Sequence, residues 1–251
     1  AVSTPFDVNQ KYLKSCGSDE QHNTKDFPYQ EAIGCLLYAS QGTRPDISYA
    51  VNFLSKFNNN PNSIHWSAVK RVFRYLQGTK NMKLCYSKEG HSDIHVYSDA
   101  DWANDSEDRR SVTGYLLMLH GGPISWASKR QQTIALSTTE AEYMAVSATT
   151  QEVMWMRGLK QELQPYDRDY PTKIYCDNQS TIHLGMTNSY HPRTKHIDIR
   201  HHYVREKIEE KKIVLEYMKT EDMIADLHTK PLSKSRFEKL RGLLGLIQNI
   251  N

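Results

Sequence analysis

Three strand-like runs followed by one long helical pattern constrain the fold of this chain more than any other feature. The first run, Ile-His-Val-Tyr-Ser, alternates in polarity, and the three runs cover 94–98, 112–119 and 122–127. Gly121-Gly122 separates the last two runs and is a hairpin signal. Helical periodicity then extends over about 138–163. After it, strand and helix patterns follow one another, with strands at 173–176 and 213–218 and helices at 179–186 and 195–210. This order predicts an α/β fold in which two strands join a three-stranded meander through helical crossovers.

The first part of the chain has a different pattern. Residues 1–27 are polar and show no sustained period, which indicates an extended arm. Helical patterns follow from Tyr29 to Gly42, at about 45–57 and after Pro61. Because 251 residues allow one large domain or two modest ones, we predict a small, mainly helical region at 1–90 and an α/β domain at 91–251.

Composition excludes several classes of protein. The 32 Lys and Arg against 29 Asp and Glu give a net charge of +3, which excludes a strongly basic coat but not a local basic groove. The longest apolar run, at 36–39, is far too short for a membrane span. The 4 cysteines lie far apart, as expected for reduced thiols in an intracellular protein. Residues 1–6 lack the features of a signal peptide, so we expect a segment of a longer chain.

Two of the predicted strands lead into an acidic residue. The sequences are Val-Tyr-Ser-Asp ending at Asp99 and Ile-Tyr-Cys-Asp ending at Asp177. Side chains at the carboxyl ends of strands point into the crevice of an α/β sheet, where Glu142 and Asp226 would join them. Such a group of carboxylates suits Mg²⁺ or Mn²⁺, and two such ions ~3.5–4 Å apart serve phosphodiester cleavage. For any single acid, the alternative is an ordinary strand-end or helix-surface position.

Several motifs carry a resemblance to a known family. Tyr-Ser-Asp-Ala-Asp-Trp-Ala at 97–103, Leu-Ser-Thr-Thr-Glu-Ala-Glu-Tyr at 136–143, Tyr-Cys-Asp-Asn at 175–178 and Ala-Asp-Leu-His-Thr-Lys-Pro-Leu at 225–232 resemble the ribonuclease H domain of copia-type retrotransposon polyproteins. Residues 29–34 and 43–47 resemble the end of the reverse transcriptase and its connection to that domain. The resemblance covers nearly the whole chain in order.

The resemblance implies a fold and an acidic site. The fold would be a ribonuclease H-like five-stranded mixed sheet flanked by helices, preceded by the small, mainly helical connection region. The catalytic and metal-binding residues would be Asp99, Glu142, Asp177 and Asp226. Glu140 remains an alternative to Glu142, although two residues turn a helix through about 200° and should direct it elsewhere. Asp101 shares a strand face with Asp99 and could support the site or lie at the surface.

The implied reaction is hydrolysis of the RNA strand of an RNA–DNA hybrid with two Mg²⁺ ions, for which Mn²⁺ could substitute. One ion would activate a water and the other would stabilise the departing 3′ oxygen. We expect contacts to the hybrid from residues beside the acids and from basic residues: Ser98, Lys129, Arg130, Gln131, Asn178, Gln179, Arg193, Lys195 and Arg200. Each basic residue could equally be a solvated surface charge. The expected partners are the hybrid and the fingers and palm of the reverse transcriptase, with no membrane, in the cytoplasm within a virus-like particle or in the nucleus.

Some features depart from the family pattern. His196, His201 and His202 do not have the spacing that puts three zinc ligands on one helical face, so we expect packing or phosphate contacts from them. The mobile histidine that many ribonucleases H carry before the last acid is absent from 217–226. The paired aspartates of a polymerase palm are also absent from the sequence, so this chain should not copy nucleic acid.

Two other functions stay open. The chain could be a decayed or host-adapted remnant that binds nucleic acid without cutting it, or a different metal-dependent nuclease, such as an exonuclease. Cleavage of a hybrid, or of single-stranded DNA alone, would discriminate between these readings.

Overall fold

The computed structural model describes residues 2–10, 12, 27–90, 92–103, 105, 107–165, 170–187 and 198–248, with the backbone alone at 198 and 199. The helices are α1 (Tyr29–Gly42), α2 (Ser48–Ser55), α3 (Ser63–Gly78), α4 (Thr138–Leu163), α5 (Gln179–Met186), α6 (Asp198–Glu209) and α7 (Lys234–Leu243). The strands are β1 (Met82–Leu84), β2 (His95–Asp101), β3 (Val112–Leu119), β4 (Gly122–Arg130), β5 (Thr172–Cys176), β6 (Ile213–Tyr217) and β7 (Leu246–Gln248). Short 3₁₀ segments cover Pro45–Ile47, Thr220–Asp222 and Ile224–His228.

The chain divides into two compact units. The helical unit comprises Ala1–Cys85 and Lys230–Asn251, and the sheet unit comprises Tyr86–Thr229. No helix among the described residues is both long and apolar enough to cross a membrane.

The helical unit contains α1, α2 and α3 and also the end of the chain. Strand β7 pairs antiparallel with β1, and the guanidinium of Arg241 on α7 donates to the Tyr75 hydroxyl oxygen over 3.1 Å. Tyr75 in turn donates to the buried carboxylate of Asp46, which Arg44 also contacts at 2.8 Å. A buried charge needs such partners, so this network ties α3 and α7 into one unit.

The predicted domains and the compact units differ at the end of the chain. The boundary after residue 85 lies near the predicted one after residue 90, but residues 230–248 pack with the helical unit. The ladder between β1 and β7, which sequence patterning did not predict, accounts for this packing. A division by contacts does not say which segments form a functional domain, so the bounds 1–90 and 91–251 stay a prediction.

The sheet unit contains the predicted five-stranded mixed sheet flanked by helices, in the order β4-β3-β2-β5-β6. β4, β3 and β2 form the antiparallel meander, and β5 and β6 add parallel to β2. The fold class is therefore confirmed. β2 and β5 are neighbours at the centre of the sheet, which is the arrangement that the two strand-end acids required.

Helix α4 packs on the sheet through small and apolar side chains. Ala141, Tyr143, Ala145 and Val146 are buried in one core with residues of β2, β3 and β5. The helix begins at an N-cap, in which the Ser137 hydroxyl accepts from the Glu140 backbone N–H, and the Glu140 carboxylate accepts from the Leu136 N–H over 2.7 Å. The cap fixes the start of α4, and with it the height of Glu142 above the sheet.

Candidate active site

Asp99 lies on β2, and Asp177 directly follows the parallel neighbour β5. The register pairs Val96 with Ile174 and Tyr97 with Tyr175, and the two aspartates each lie two residues beyond the second pair. Asp99 is 1% exposed and Asp177 is partly exposed, because β2 continues to Asp101 whereas β5 ends at Cys176. The two carboxylates therefore share one end of the sheet, one at its floor and one nearer solvent.

Glu142 reaches the same place from α4. An oxygen of Glu142, an oxygen of Asp177 and Sγ of Cys176 all lie within 4.8 Å of one another. Glu140 instead bonds the Leu136 N–H at the helix start. The two glutamates, which sequence alone could not separate with certainty, thus have different surroundings, and Glu142 is the one beside Asp177.

The pKa of the Cys176 thiol depends on the negative charge of this site. Burial raises its pKa, and the carboxylates of Glu142, Asp177 and Asp99 raise it further. A thiolate there would stand beside negative charges in a site with little water, so the neutral thiol is favoured. Three of the predicted acids therefore act on one buried atom.

Asp226 belongs to the 3₁₀ segment Ile224–His228, which is fully buried. Three residues later, Thr229 donates its hydroxyl proton to Oδ2 of Asp99, and the same hydroxyl oxygen lies 3.4 Å from the Asp226 carbonyl oxygen. Gly114 on β3 pairs with Asp99 and permits this approach. A Cβ atom there would lie 2.9 Å from Cβ of His228 and 3.0 Å from the Ala225 carbonyl oxygen. The segment that carries Asp226 thus packs directly against the strand pair that holds Asp99.

The loop between β6 and that segment reaches the other aspartate. Thr220 donates its hydroxyl proton to Oδ2 of Asp177 over 2.7 Å. A threonine of this loop thus contacts an acid of the predicted site.

The chemistry of this donor set fits divalent cations. Glu142 and Asp177 have oxygens within 4.8 Å of each other, Asp99 lies on β2, and Asp226 lies on the buried 3₁₀ segment just before Thr229, which bonds Asp99. Oxygen-rich sites suit Mg²⁺ and Mn²⁺, and negative groups brought this close need a positive charge to offset their repulsion. Asp99, Glu142, Asp177 and Asp226 are the residues that would hold such ions.

The predicted nucleic-acid contacts differ in what surrounds them. Lys129, Arg130 and Arg200 line one depression of about 350 Å³ that α4 borders. The register places Lys129 opposite Thr113, which pairs with Ala100 next to Asp99. Arg130 is held in ion pairs with Asp105 and Asp108 at 3.4 and 3.2 Å. A depression with three basic side chains therefore lies beside α4, on the β4 side of the sheet.

Two predicted contacts are buried. Ser98 is 0% exposed and its hydroxyl oxygen accepts from Thr149 on α4, so it joins β2 to that helix. Gln131 is also buried and lines the floor of the depression, where its amide N–H groups reach Thr113 and the Ala141 carbonyl oxygen. The nucleic-acid contacts of Ser98 and Gln131 stay predictions.

The remaining predicted contacts are Asn178 and Gln179 at the start of α5, and Arg193 and Lys195. Asn178 caps α5 by accepting from the Thr181 N–H, and Gln179 is exposed at the first turn of the helix. Arg193 and Lys195 lie outside the described residues. The nucleic-acid contacts of Asn178, Gln179, Lys129, Arg130 and Arg200 stay predictions.

The histidines have packing roles where they are described. His201 is buried, its Nε2 lies 3.0 Å from the Leu184 carbonyl oxygen, and its ring stacks on Tyr143. Across the described side chains, the one group of three with metal-ligand spacing is Glu142, Cys176 and Asp177, which contains no histidine. His196 lies outside the described residues.

Sequence reasoning missed Thr220, Thr229 and Gly114. Thr229 stands in the motif at 225–232, but a threonine three residues after an acid has no distinctive pattern. Its role follows from a contact with a residue 130 positions earlier.

Relatives of known description match most of the chain. It is 43% identical over 253 residues to the retrovirus-related Pol polyprotein from transposon TNT 1-94 of Nicotiana tabacum, covering 99% of this chain and 19% of that protein. It is 38% identical over 247 residues to the Pol polyprotein from transposon RE2 of Arabidopsis thaliana, covering 98% of this chain and 17% of that protein. The chain thus spans about a fifth of the length of these relatives.

Two further comparisons gave different kinds of match. A secreted RxLR effector protein, number 161, of Plasmopara viticola is 51% identical over 132 residues, which cover 53% of this chain and 93% of the effector. A solved ribonuclease H1 isolated from compost, LC11-RNase H1, is similar with a TM-score of 0.40 and 13% identity, over 60% of this chain and 93% of that one. No protein-family model matches the chain.

Proposed function

This chain belongs to the family of retrovirus-related Pol polyproteins from copia-type transposons, and from that premise we propose that it is their metal-dependent ribonuclease H segment. Its reaction would be endonucleolytic hydrolysis of the RNA strand of an RNA–DNA hybrid. The observation that supports the proposal is that the carboxylates of Glu142, Asp177 and Asp99 all act on the buried thiol of Cys176, and that Glu142 and Asp177 lie within 4.8 Å of each other. Asp226 lies on the segment whose neighbour, Thr229, bonds Asp99.

The residues of the site would divide the work between them. Asp99, Glu142, Asp177 and Asp226 would hold two divalent cations, and the cations supply an activated water and neutralise the charge that develops on the scissile phosphate. Asp99 is buried on a central strand and would set the position of the site relative to the sheet. Asp177, nearer solvent, would face the incoming phosphodiester.

Substrate binding would fall to the basic depression and the first turn of α5. Lys129 and Arg200 would contact backbone phosphates, while Asn178 and Gln179 beside Asp177 would reach the 2′-hydroxyls that distinguish RNA from DNA. The phosphate contacts would fix the register of the hybrid. The near-neutral net charge of +3 is compatible with a local basic surface.

The polyprotein context supplies the remaining partners. Because the chain spans about a fifth of its relatives, the reverse transcriptase fingers and palm would be provided by the rest of the polyprotein. Residues 1–90 would connect that polymerase to the nuclease and help to orient the hybrid. An intracellular setting, in a virus-like particle or in the nucleus, follows from the retrotransposon cycle.

The test is release of labelled fragments from an RNA–DNA hybrid by the full chain with Mg²⁺ or Mn²⁺. Native chain should cleave, and EDTA or Asp99→Asn should abolish cleavage. Asp93→Asn is a matched control, because Asp93 is an exposed acid that lies before the other end of β2. Equal cleavage by the native chain and Asp99→Asn would remove the proposed mechanism.

A second function has one observation in its favour. A relative described as a secreted effector is 51% identical to this chain over 132 residues, so sequences of this kind also occur under a description other than Pol. A host-adapted remnant would bind the hybrid without cutting it. Binding by the native chain with no cleavage in either metal would favour the remnant, and cleavage of single-stranded DNA alone would favour another nuclease.

A further inference from the structure

We propose that Thr220 and Thr229 are positioning residues of the acidic site, each orienting one metal-binding carboxylate through a hydrogen bond from its hydroxyl. This inference rests on the proposed function, since it concerns the same site. It adds that the segment 220–229 supplies one acid, Asp226, and also orients two others, Asp99 and Asp177.

The contact of Thr229 with Asp99 is completely enclosed. Thr229 is 0% exposed and Asp99 is 1% exposed, so water does not compete for either group. The hydroxyl has one proton, and the charged Oδ2 of Asp99 is a stronger acceptor than the Asp226 carbonyl oxygen 3.4 Å away. Because Oδ2 accepts this hydrogen bond, the contact would hold the Asp99 carboxylate in one orientation for binding a cation.

The contact of Thr220 with Asp177 repeats this arrangement nearer solvent. The hydroxyl donates to Oδ2 of Asp177 over 2.7 Å, and Thr220 is exposed. Asp177 follows the end of β5, so the sheet does not fix its side chain from both sides. A hydrogen bond from the facing loop supplies an orientation that the strand cannot, although water can partly replace it.

Both donors come from the stretch that contains the last acid. The loop carries Thr220, the buried 3₁₀ segment carries Asp226, and the residue after it is Thr229. Hydrogen bonds to metal-binding carboxylates set the direction and basicity of the ligand oxygens, and losing one weakens metal affinity. Packing of 220–229 on the sheet would therefore assemble three of the four ligands in one step.

The experiment measures Mn²⁺ binding to the full chain by calorimetry, together with hybrid cleavage and the thermal midpoint of the metal-free chain. Thr229→Val keeps the shape of the side chain and removes the hydroxyl, and Thr229→Ser restores it. Thr150→Val is the matched control, because Thr150 is equally buried on α4 and its hydroxyl donates to the Val146 carbonyl oxygen. For the exposed site, Thr220→Val is compared with Thr187→Val, whose hydroxyl donates to the His183 carbonyl oxygen.

We expect Thr229→Val to weaken Mn²⁺ binding by about 10- to 100-fold and Thr220→Val by up to about tenfold. Thr229→Ser should bind Mn²⁺ within about threefold of the native chain, and both control variants should match it. Native affinity in Thr229→Val, equal weakening in Thr150→Val, or no Mn²⁺ binding by the native chain would each overturn the inference. If the native chain binds Mn²⁺ and the threonine variants weaken binding, but neither the native chain nor any variant cuts hybrid, the positioning role stands and the proposed function fails.

Discussion

A Cβ atom at Gly114 would lie 2.6 Å from Cγ2 of Thr229, so the glycine on β3 leaves the space that this threonine fills. Gly114 is also the residue that pairs with Asp99 in the antiparallel register. One small residue thus permits the close approach of 225–229 to β2, the strand that holds Asp99.

Replacing Gly114 with alanine should separate these elements. The new methyl group would also meet the Ala225 carbonyl oxygen and Cβ of His228, which cannot move independently of the backbone. We expect Gly114→Ala to lower the free energy of unfolding by about 1–3 kcal/mol and to reduce hybrid cleavage. Denaturant titration and the cleavage assay measure the two effects.

The control is Gly158→Ala on α4, where nothing lies within 4 Å of an added Cβ atom. Alanine favours a helix interior over glycine, so this variant should gain about 0.5–1 kcal/mol and cleave as the native chain does. A Gly114→Ala chain with native stability and cleavage would contradict the tight packing described above.

The two glutamates of α4 should separate into a catalytic and a capping role. Glu142→Gln removes a charged ligand, and because cations supply several kcal/mol of transition-state stabilisation, cleavage should fall by at least about 100-fold. Glu140→Gln keeps an acceptor for the Leu136 N–H, so cleavage and thermal midpoint should change little. Greater loss of cleavage in Glu140→Gln than in Glu142→Gln would exchange their roles.

The basic depression should act on substrate binding and not on turnover. Removing Lys129 or Arg200 takes one cation from the surface that would contact phosphate. Each of Lys129→Gln and Arg200→Gln should raise KM with little change in kcat and lower the slope of log affinity against log salt by about 1.

Lys88→Gln serves as the matched control for that experiment. Lys88 is exposed and lies beside Ser87, whose N–H donates to the His120 carbonyl oxygen at the other end of β3. It should leave both KM and the salt slope unchanged. An unchanged slope in Arg200→Gln and Lys129→Gln as well would assign hybrid binding to a different surface.

The buried thiol gives a prediction that does not depend on cleavage. Thiol reagents attack the thiolate, and Cys176 is buried with a raised pKa, whereas Cys35 is exposed. At pH 8 we expect rapid alkylation of Cys35 and none of Cys176 in the folded chain. In about 6 M guanidinium, which is enough to unfold most domains, both thiols should be modified. Peptide mapping by mass spectrometry measures both, and fast native modification of Cys176 would show that the site is open to solvent.

The sequence by itself determined the main strands and helices and singled out the four acids as a predicted site. Alternation at 94–98, the helical period at 138–163 and the turn residues between them are local properties, and the structure has strands and a helix there. Acids that follow two strands lie at the same edge of a sheet only if those strands are parallel neighbours, and the structure makes β2 and β5 neighbours.

Only the tertiary structure decided which neighbouring side chains face the site. Ser98 stands beside Asp99 and Gln131 beside Arg130, yet both are buried in helix and sheet contacts that the strand pattern did not reveal. Thr229 meets Asp99 across 130 residues, and β7 pairs with β1 from the far end of the chain. Local propensity acts over a few residues, whereas these contacts depend on how buried surfaces fill the space between elements, and that filling exists only in the folded chain.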